Sequence, residues 1–336
     1  MFPATLNINS RPPRNARPSP SMFSFTQIHA PSSMALSLTQ MTCCSTTRPM
    51  GTGVAVNISK IYLLRNPMNL KLKTLNFFSR IISLINQKFL ANPLSSKKLL
   101  FVFGDSLFDP GNNQYLNNSM PSASISWPCG MNMNNKSTGR LSDGLLVPDF
   151  VALFANLPVD PPCMQPGADL TNGANFASAG AGVLGETNGV NVGPLGCLPS
   201  TKAMYPELNG ACVKNFLTHP KLHNKALYNK LNKMAKQLPG FKHSIMNYYY
   251  ALGDRISKSP IYGFKEGKVA CCGSGLYNGQ NCGVGSYKLC KNPSEYVFFD
   301  GGHTTQKTNR QLAELLWSGG PNVTGPYNVK QLFEFP

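Results

Sequence analysis

The strongest constraint on the fold lies in residues 99–114, LLFVFGDSLFDPGNNQ, where an unbroken apolar run stops at a glycine, an acid and a hydroxyl. Five consecutive apolar residues, Leu99, Leu100, Phe101, Val102 and Phe103, suit a strand covered on both faces, the situation of strands in parallel sheets. Gly104 ends the run, and Asp105 and Ser106 follow at the carboxyl end of the strand, the edge where open α/β sheets place their ligand sites. Pro110-Gly111-Asn112-Asn113 continues in turn or helix-entry chemistry. Ser106 therefore has two readings, a helix N-cap after an ordinary strand or a catalytic serine.

A second stretch favours the nucleophile. Tyr296-Val297-Phe298-Phe299 predicts another short strand, and it runs into Asp300-Gly301-Gly302-His303. A carboxylate three residues before an imidazole, across two glycines, can fold back to accept the Nδ1 hydrogen. That leaves Nε2 free to take a proton from a hydroxyl. Serine, base and orienting acid are then all present, each at a strand end.

These blocks resemble a known family. FGDSLFDPGNN is similar to the first block of the plant GDSL-type esterases and lipases of the SGNH hydrolase superfamily, and FFDGGHTT to their closing Asp-x-x-His-Pro-Thr block, with Thr304 in place of the proline. Residues 175–182 (NFASAGAG) resemble the second block, and residues 191–200, 221–227, 262–275 and 292–300 follow in family order. The resemblance implies an α/β fold, specifically a three-layer α/β/α sandwich with a mainly parallel, flavodoxin-like sheet. It implies cleavage of acyl esters or lipids through an acyl-enzyme, with Ser106, Asp300 and His303 as the triad and the backbone N–H groups of Ser106 and Gly180 as the oxyanion hole. No cofactor or metal is expected.

The chain departs from the family in one place. Between Gly182 and Pro194 it passes almost directly from the second block to NVGPLGC, where the family has helices and a central strand ending in Gly-x-Asn-Asp, whose Asn donates to the oxyanion. The shortening falls near residues 185–192. Losing a central strand forces non-adjacent strands to pair or leaves a gap. The alternative to an esterase is thus a catalytically impaired, truncated paralogue or gene-model fragment acting, if at all, as a non-enzymatic binding protein.

The formal charge of +17 comes mostly from one end. Twelve of the 31 basic residues precede Asp105 and none of the 14 acids does, so the remainder carries 19 bases against 14 acids. That mild excess gives no reason to expect a nucleic-acid partner. Eight of the ten cysteines, Cys129, Cys163, Cys197, Cys212, Cys271, Cys272, Cys282 and Cys290, lie in the family-like region without a Cys-x-x-Cys pair, which favours disulfides over zinc and leaves their connectivity open. With Asn-x-Ser/Thr acceptors at Asn117, Asn135 and Asn322, they fit a secreted protein. The acid-free, hydroxyl-rich start offers the alternative of a plastid or mitochondrial transit peptide.

Along the chain, residues 1–96 read as a basic leader, largely disordered, with an amphipathic helix candidate near 72–90 that is too short and polar for a confident membrane span. Residues 97–320 read as the hydrolase domain and 321–336 as a C-terminal tail. Within the domain, helices are predicted over 147–157, from N-cap Thr218 to 238 with Leu222, Ala226, Leu227, Leu231, Met234 and Leu238 on one face, over 248–256 and over 305–317; a strand is predicted over 241–246. His219 and His223 read as surface or packing residues.

Overall fold

In the computed structural model of this chain the described residues are 53–57, 60–63, 98–116, 126–180, 192–238 and 240–335; the helix candidate at 72–90 and the shortened junction at 185–191 lie outside them. The elements run in order as strands β1 (Gly53–Asn57), β2 (Lys60–Leu63) and β3 (Leu99–Phe103), helix α1 (Val147–Phe154), strand β4 (Gly173–Asn175), helices α2 (Pro199–Ala203) and α3 (Asn215–Gln237), strand β5 (Ser244–Met246), helix α4 (Tyr248–Ser257), strands β6 (Cys272–Gly273) and β7 (Lys288–Leu289), helix α5 (Gln306–Ser318), strand β8 (Thr324–Pro326) and helix α6 (Val329–Glu334). The class is α/β.

The apolar run of β3 is buried along its whole length. Because strand side chains alternate between faces, its residues divide between two cores. Leu100 and Val102 pack with Val147 and Val151 of α1, Leu252 and Ile256 of α4, Leu312 and Leu316 of α5, and Val329 and Leu332 of α6. Leu99, Phe101 and Phe103 pack on the other side with Leu227, Leu231 and Met234 of α3. At about 1.5–3 kcal/mol for each fully buried large apolar side chain, this strand is firmly anchored, which is what a strand-end nucleophile requires.

β3 is hydrogen-bonded on both edges. β4 pairs with it in parallel, Leu100 opposite Gly173 and Val102 opposite Asn175. On the other edge lies β1, also parallel, with Ala55 opposite Phe101, and β2 pairs antiparallel outside it. Two strands therefore come from the stretch expected as a leader, and one of them occupies the edge of β3 opposite β4.

Several local expectations change. The apolar run at 296–299 is fully buried from Val297 to Phe299 but forms isolated bridges, Glu266 with Tyr296 and Phe298 with Thr304, instead of a regular strand. The two glycines turn the chain so tightly that Thr304 folds back onto Phe298. The 241–246 strand contracts to β5, which pairs antiparallel with β8 outside the four-stranded sheet. Helix α3 starts before Thr218 and contains Pro220, because the 3₁₀-type bonds Phe216 N to Val213 O (3.1 Å) and Leu217 N to Lys214 O (3.0 Å) already form its first turn. Its buried line is Pro220, Leu227, Leu231 and Met234, while Leu222 and Ala226 face solvent. Residues 321–336, expected as a tail, instead supply β8 and α6, and Val329 and Leu332 are fully buried in the first core.

Six of the eight cysteines pair, as Cys197–Cys212, Cys271–Cys290 and Cys272–Cys282; Cys129 and Cys163 are buried outside these bridges. Burial, with the nearby Asp300 carboxylate adding to it, pushes the Cys129 thiol up to about 12. Among the described residues no helix is long and apolar enough to cross a membrane.

Candidate active site

The turn after β3 carries Ser106. Asp105 Oδ1 accepts the Leu107 N–H at 2.9 Å and closes the turn locally. Asp109 Oδ1 then accepts the N–H groups of Gly111 (2.8 Å) and Asn112 (2.6 Å), while its Oδ2 accepts that of Ala179 (2.8 Å). Asn112 is buried and donates from Nδ2 to the carbonyls of Asn175 and Ala177, both at 2.8 Å. Asn113 donates to Ala179 O at 2.7 Å. The polar residues after Ser106 thus lash this turn to the loop that follows β4.

That loop brings Gly180, the expected oxyanion donor, to the end of the described stretch, exposed and at φ +85°, a conformation open mainly to glycine. Its neighbour Ala179 is fixed from both sides, through its N–H to Asp109 and its carbonyl to Asn113.

The Asp300–His303 turn arrives from the far end of the chain. Asp300 Oδ1 accepts the backbone N–H groups of Gly302 and His303, both at 2.8 Å, and the two carboxylate oxygens stand 2.8 and 2.9 Å from His303 Nδ1. The other ring nitrogen, Nε2, is 2.8 Å from Ser106 Oγ across 197 positions of sequence. Ser106, His303 and Asp300 therefore form one continuous hydrogen-bonded chain. The side chains of His303 and Asp300 are only 19% and 13% exposed.

Electrostatics polarise this chain. Burial works against charge on His303, but the Asp300 carboxylate, its hydrogen bond and the more distant Asp105 carboxylate outweigh it and raise the imidazole above its ordinary 6.5. For Asp300, burial is outweighed by the His303 charge and by three sets of hydrogen bonds, and its carboxyl is held below the usual range. Asp105, dominated by burial, is raised.

Two arms hold the Asp300–His303 turn. On the upstream side Cys271 N donates to Phe298 O (3.0 Å) and Cys272 N to Phe299 O (2.7 Å), so two disulfide-bonded cysteines grip the residues leading into Asp300. On the downstream side the turn at residues 140–145 contacts Thr304 and Gln306. Sequence reasoning gave no site role to Asp105, Asp109, Asn112, Ser142 or Asp143, though it set Asp105 beside Ser106 at the strand end and Asn112 in the turn after it. Asp109 alone carried a local signal, an acid two residues before a glycine in a turn.

A strand-end serine hydrogen-bonded to an aspartate-backed imidazole on an α/β scaffold is the arrangement that serine hydrolases share. The sequence pattern of the family described as GDSL-like Lipase/Acylhydrolase matches residues 100–192 and 185–316. The chain is 33% identical to "GDSL esterase/lipase 1" of Arabidopsis thaliana, over 72% of this chain and 92% of that protein. It is also 33% identical to "GDSL lipase" of Tanacetum cinerariifolium, over 70% and 87%. A third relative, "Inactive GDSL esterase/lipase-like protein 25" of Arabidopsis thaliana, is 32% identical over 72% and 76%. The chain belongs to the GDSL lipase/acylhydrolase family, whose chemistry is carboxylic ester hydrolysis.

The two family segments meet at 185–192, the junction where the sequence is short. The first relative's alignment covers 343 positions but only 72% of this 336-residue chain, so the matched span is longer in the relative than here.

Proposed function

We propose that this protein hydrolyses acyl esters or lipids by two-step acyl transfer on a three-layer α/β/α sandwich. His303 Nε2 takes the Ser106 proton, Oγ attacks the ester carbonyl, and the alcohol leaves with the proton returned by the imidazole. Water, activated by the same base, then releases the acid. Asp300 fixes the tautomer with the proton on Nδ1 and stabilises the imidazolium. The backbone N–H groups of Ser106 and Gly180 receive the oxyanion.

The observation that carries this reading is the 2.8 Å approach of His303 Nε2 to Ser106 Oγ, with Asp300 behind the ring. Without the Gly-x-Asn-Asp block one oxyanion donor is lost, which typically lowers turnover about 10²–10³-fold, or about 2.7–4 kcal/mol. We accordingly propose a slow esterase. The three disulfides and the glycosylation acceptors support secretion. The hydrolase domain is proposed to extend from about residue 97 through α6.

The shortened junction favours a second reading, a catalytically silent member of the family. Hydrolysis of p-nitrophenyl acetate and butyrate by the purified chain and by Ser106→Ala separates the two. Turnover that disappears in the variant supports the esterase; hydrolysis at the same rate in both establishes the silent paralogue.

A further inference from the structure

We propose that Asp143 is a positioning residue for His303, acting as the centre of a clamp on the backbone downstream of the imidazole. This inference rests on the triad reading above.

The turn at 140–145 is far from the site in sequence yet meets the three residues after His303 at three points. Ser142 Oγ donates to Thr304 O at 3.1 Å, Asp143 Oδ1 accepts the Gln306 N–H at 2.7 Å, and Leu145 N donates to Gln306 Oε1 at 2.8 Å. Asp143 Oδ2 accepts Asn132 Nδ2 at 2.6 Å, so both carboxylate oxygens are engaged. The approach is close: a methyl group at Gly144 would overlap Gln306 Oε1. An alanine there would push the Gln306 amide away from Leu145 N.

The clamp is built into the fold from below. Arg140, in the same turn, makes a bidentate buried ion pair with Asp149 of α1, Nε to Oδ2 at 2.8 Å and Nη2 to Oδ1 at 2.9 Å, and reaches Pro110 O at 3.1 Å. Thus one turn is tied through Arg140 to the segment after Ser106 and through Asp143 to the segment after His303. It fixes the separation of nucleophile and base from outside the pair. The Asp300 turn is also held from outside, by Ser200 N on Gly301 O (2.9 Å) and Cys272 N on Phe299 O (2.7 Å), but neither of these bonds runs to the segment after Ser106.

A partly buried backbone N–H left without its acceptor drives local rearrangement, here at the third residue after the base. Asp143→Ala therefore moves the imidazole relative to both partners. The expected result is kcat lowered at least tenfold, KM within twofold, and the rising limb of kcat/KM against pH shifted down toward 6.5 as His303 loosens from Asp300; Asp105 is the other carboxylate whose charge reaches that ring. Asp143→Asn keeps an oxygen for Gln306 N, while Asn132 turns its amide oxygen toward the new NH₂ group, and the variant stays within threefold of the parent. Gly144→Ala, which removes no polar group, serves as the second variant should Asp143→Ala fail to fold, with the same lowered kcat and shifted limb expected.

Loss of folded protein lowers the rate but does not move the limb. A limb that coincides with the parent's, or equal losses in Asp143→Ala and Asp143→Asn, overturns the inference. Ser106→Ala runs alongside on the same esters: if it retains hydrolysis, the triad reading fails first and on its own account.

Discussion

Replacing Asp300 by Asn tests the electrostatic core of the site, and the structure dictates how. Asp300 Oδ1 already serves three donors, the N–H groups of Gly302 and His303 and the ring Nδ1, while Oδ2 contacts Nδ1 alone. An asparagine must keep its single oxygen on the two backbone donors, since reversing the amide would leave both unpaired at about 1–3 kcal/mol each. Its NH₂ group then takes the place of Oδ2 and donates to Nδ1. The ring proton moves to Nε2, pointing at Ser106 Oγ, and the base can no longer accept. The imidazolium formed in the transition state also loses its counter-charge, worth about 4 kcal/mol for unit charges about 4 Å apart at an effective dielectric of about 20. Loss of the corresponding acid in a serine triad costs about 10⁴ in turnover, or about 5 kcal/mol, and the two figures describe the same loss. The assay is kcat/KM on p-nitrophenyl butyrate from pH 5 to 10. The parent should gain activity only above 6.5, where the raised imidazole loses its proton, and Asp300→Asn should fall about 10⁴-fold near neutrality. A variant within tenfold of the parent would refute the reasoning, because it would mean that Asp300 neither sets the tautomer nor stabilises the charge.

Two predictions concern stability. Burial, with the Asp149 charge adding to it and Arg140 opposing it, pushes the Asp160 carboxyl up to about 8. The unfolded chain releases this proton near 3.8 and the folded chain near 8, so the group's stabilising contribution is full below 3.8 and declines as pH rises to 8, by on the order of a few kcal/mol. Asp160→Asn should therefore raise the melting temperature more at pH 8 than at pH 5; an equal shift at both would sink this account. The Cys271–Cys290 bridge spans 19 positions and, on a chain-entropy estimate, contributes about 3 kcal/mol. Its double Ser variant should melt about 6–12 °C lower. It should also lose ester hydrolysis, since Cys271 N holds Phe298 O two residues before Asp300; unchanged turnover in the folded variant would separate the bridge from the site.

The sequence by itself determined the parts whose physics is local. Leu99 to Phe103 is buried on both faces because five apolar side chains in succession leave no side for water, and a Gly-Asp-Ser sequence after such a run ends the strand at a turn. Asp300 and His303 meet because two glycines separate them and nothing beyond that turn is needed. Tertiary structure decided whatever joins distant residues, since no periodicity or turn preference encodes a partner far along the chain. The approach of Ser106 to His303 over 197 positions, the hold of Asp143 on Gln306 over 163 and the parallel seat of β1 beside β3 are of this kind. So is the difference between a regular strand and a bridged turn at 296–299. Its apolar side chains were bound to be buried, but its backbone partners, Cys271, Cys272 and Thr304, were set by disulfide-bonded and glycine-turned segments folding onto it.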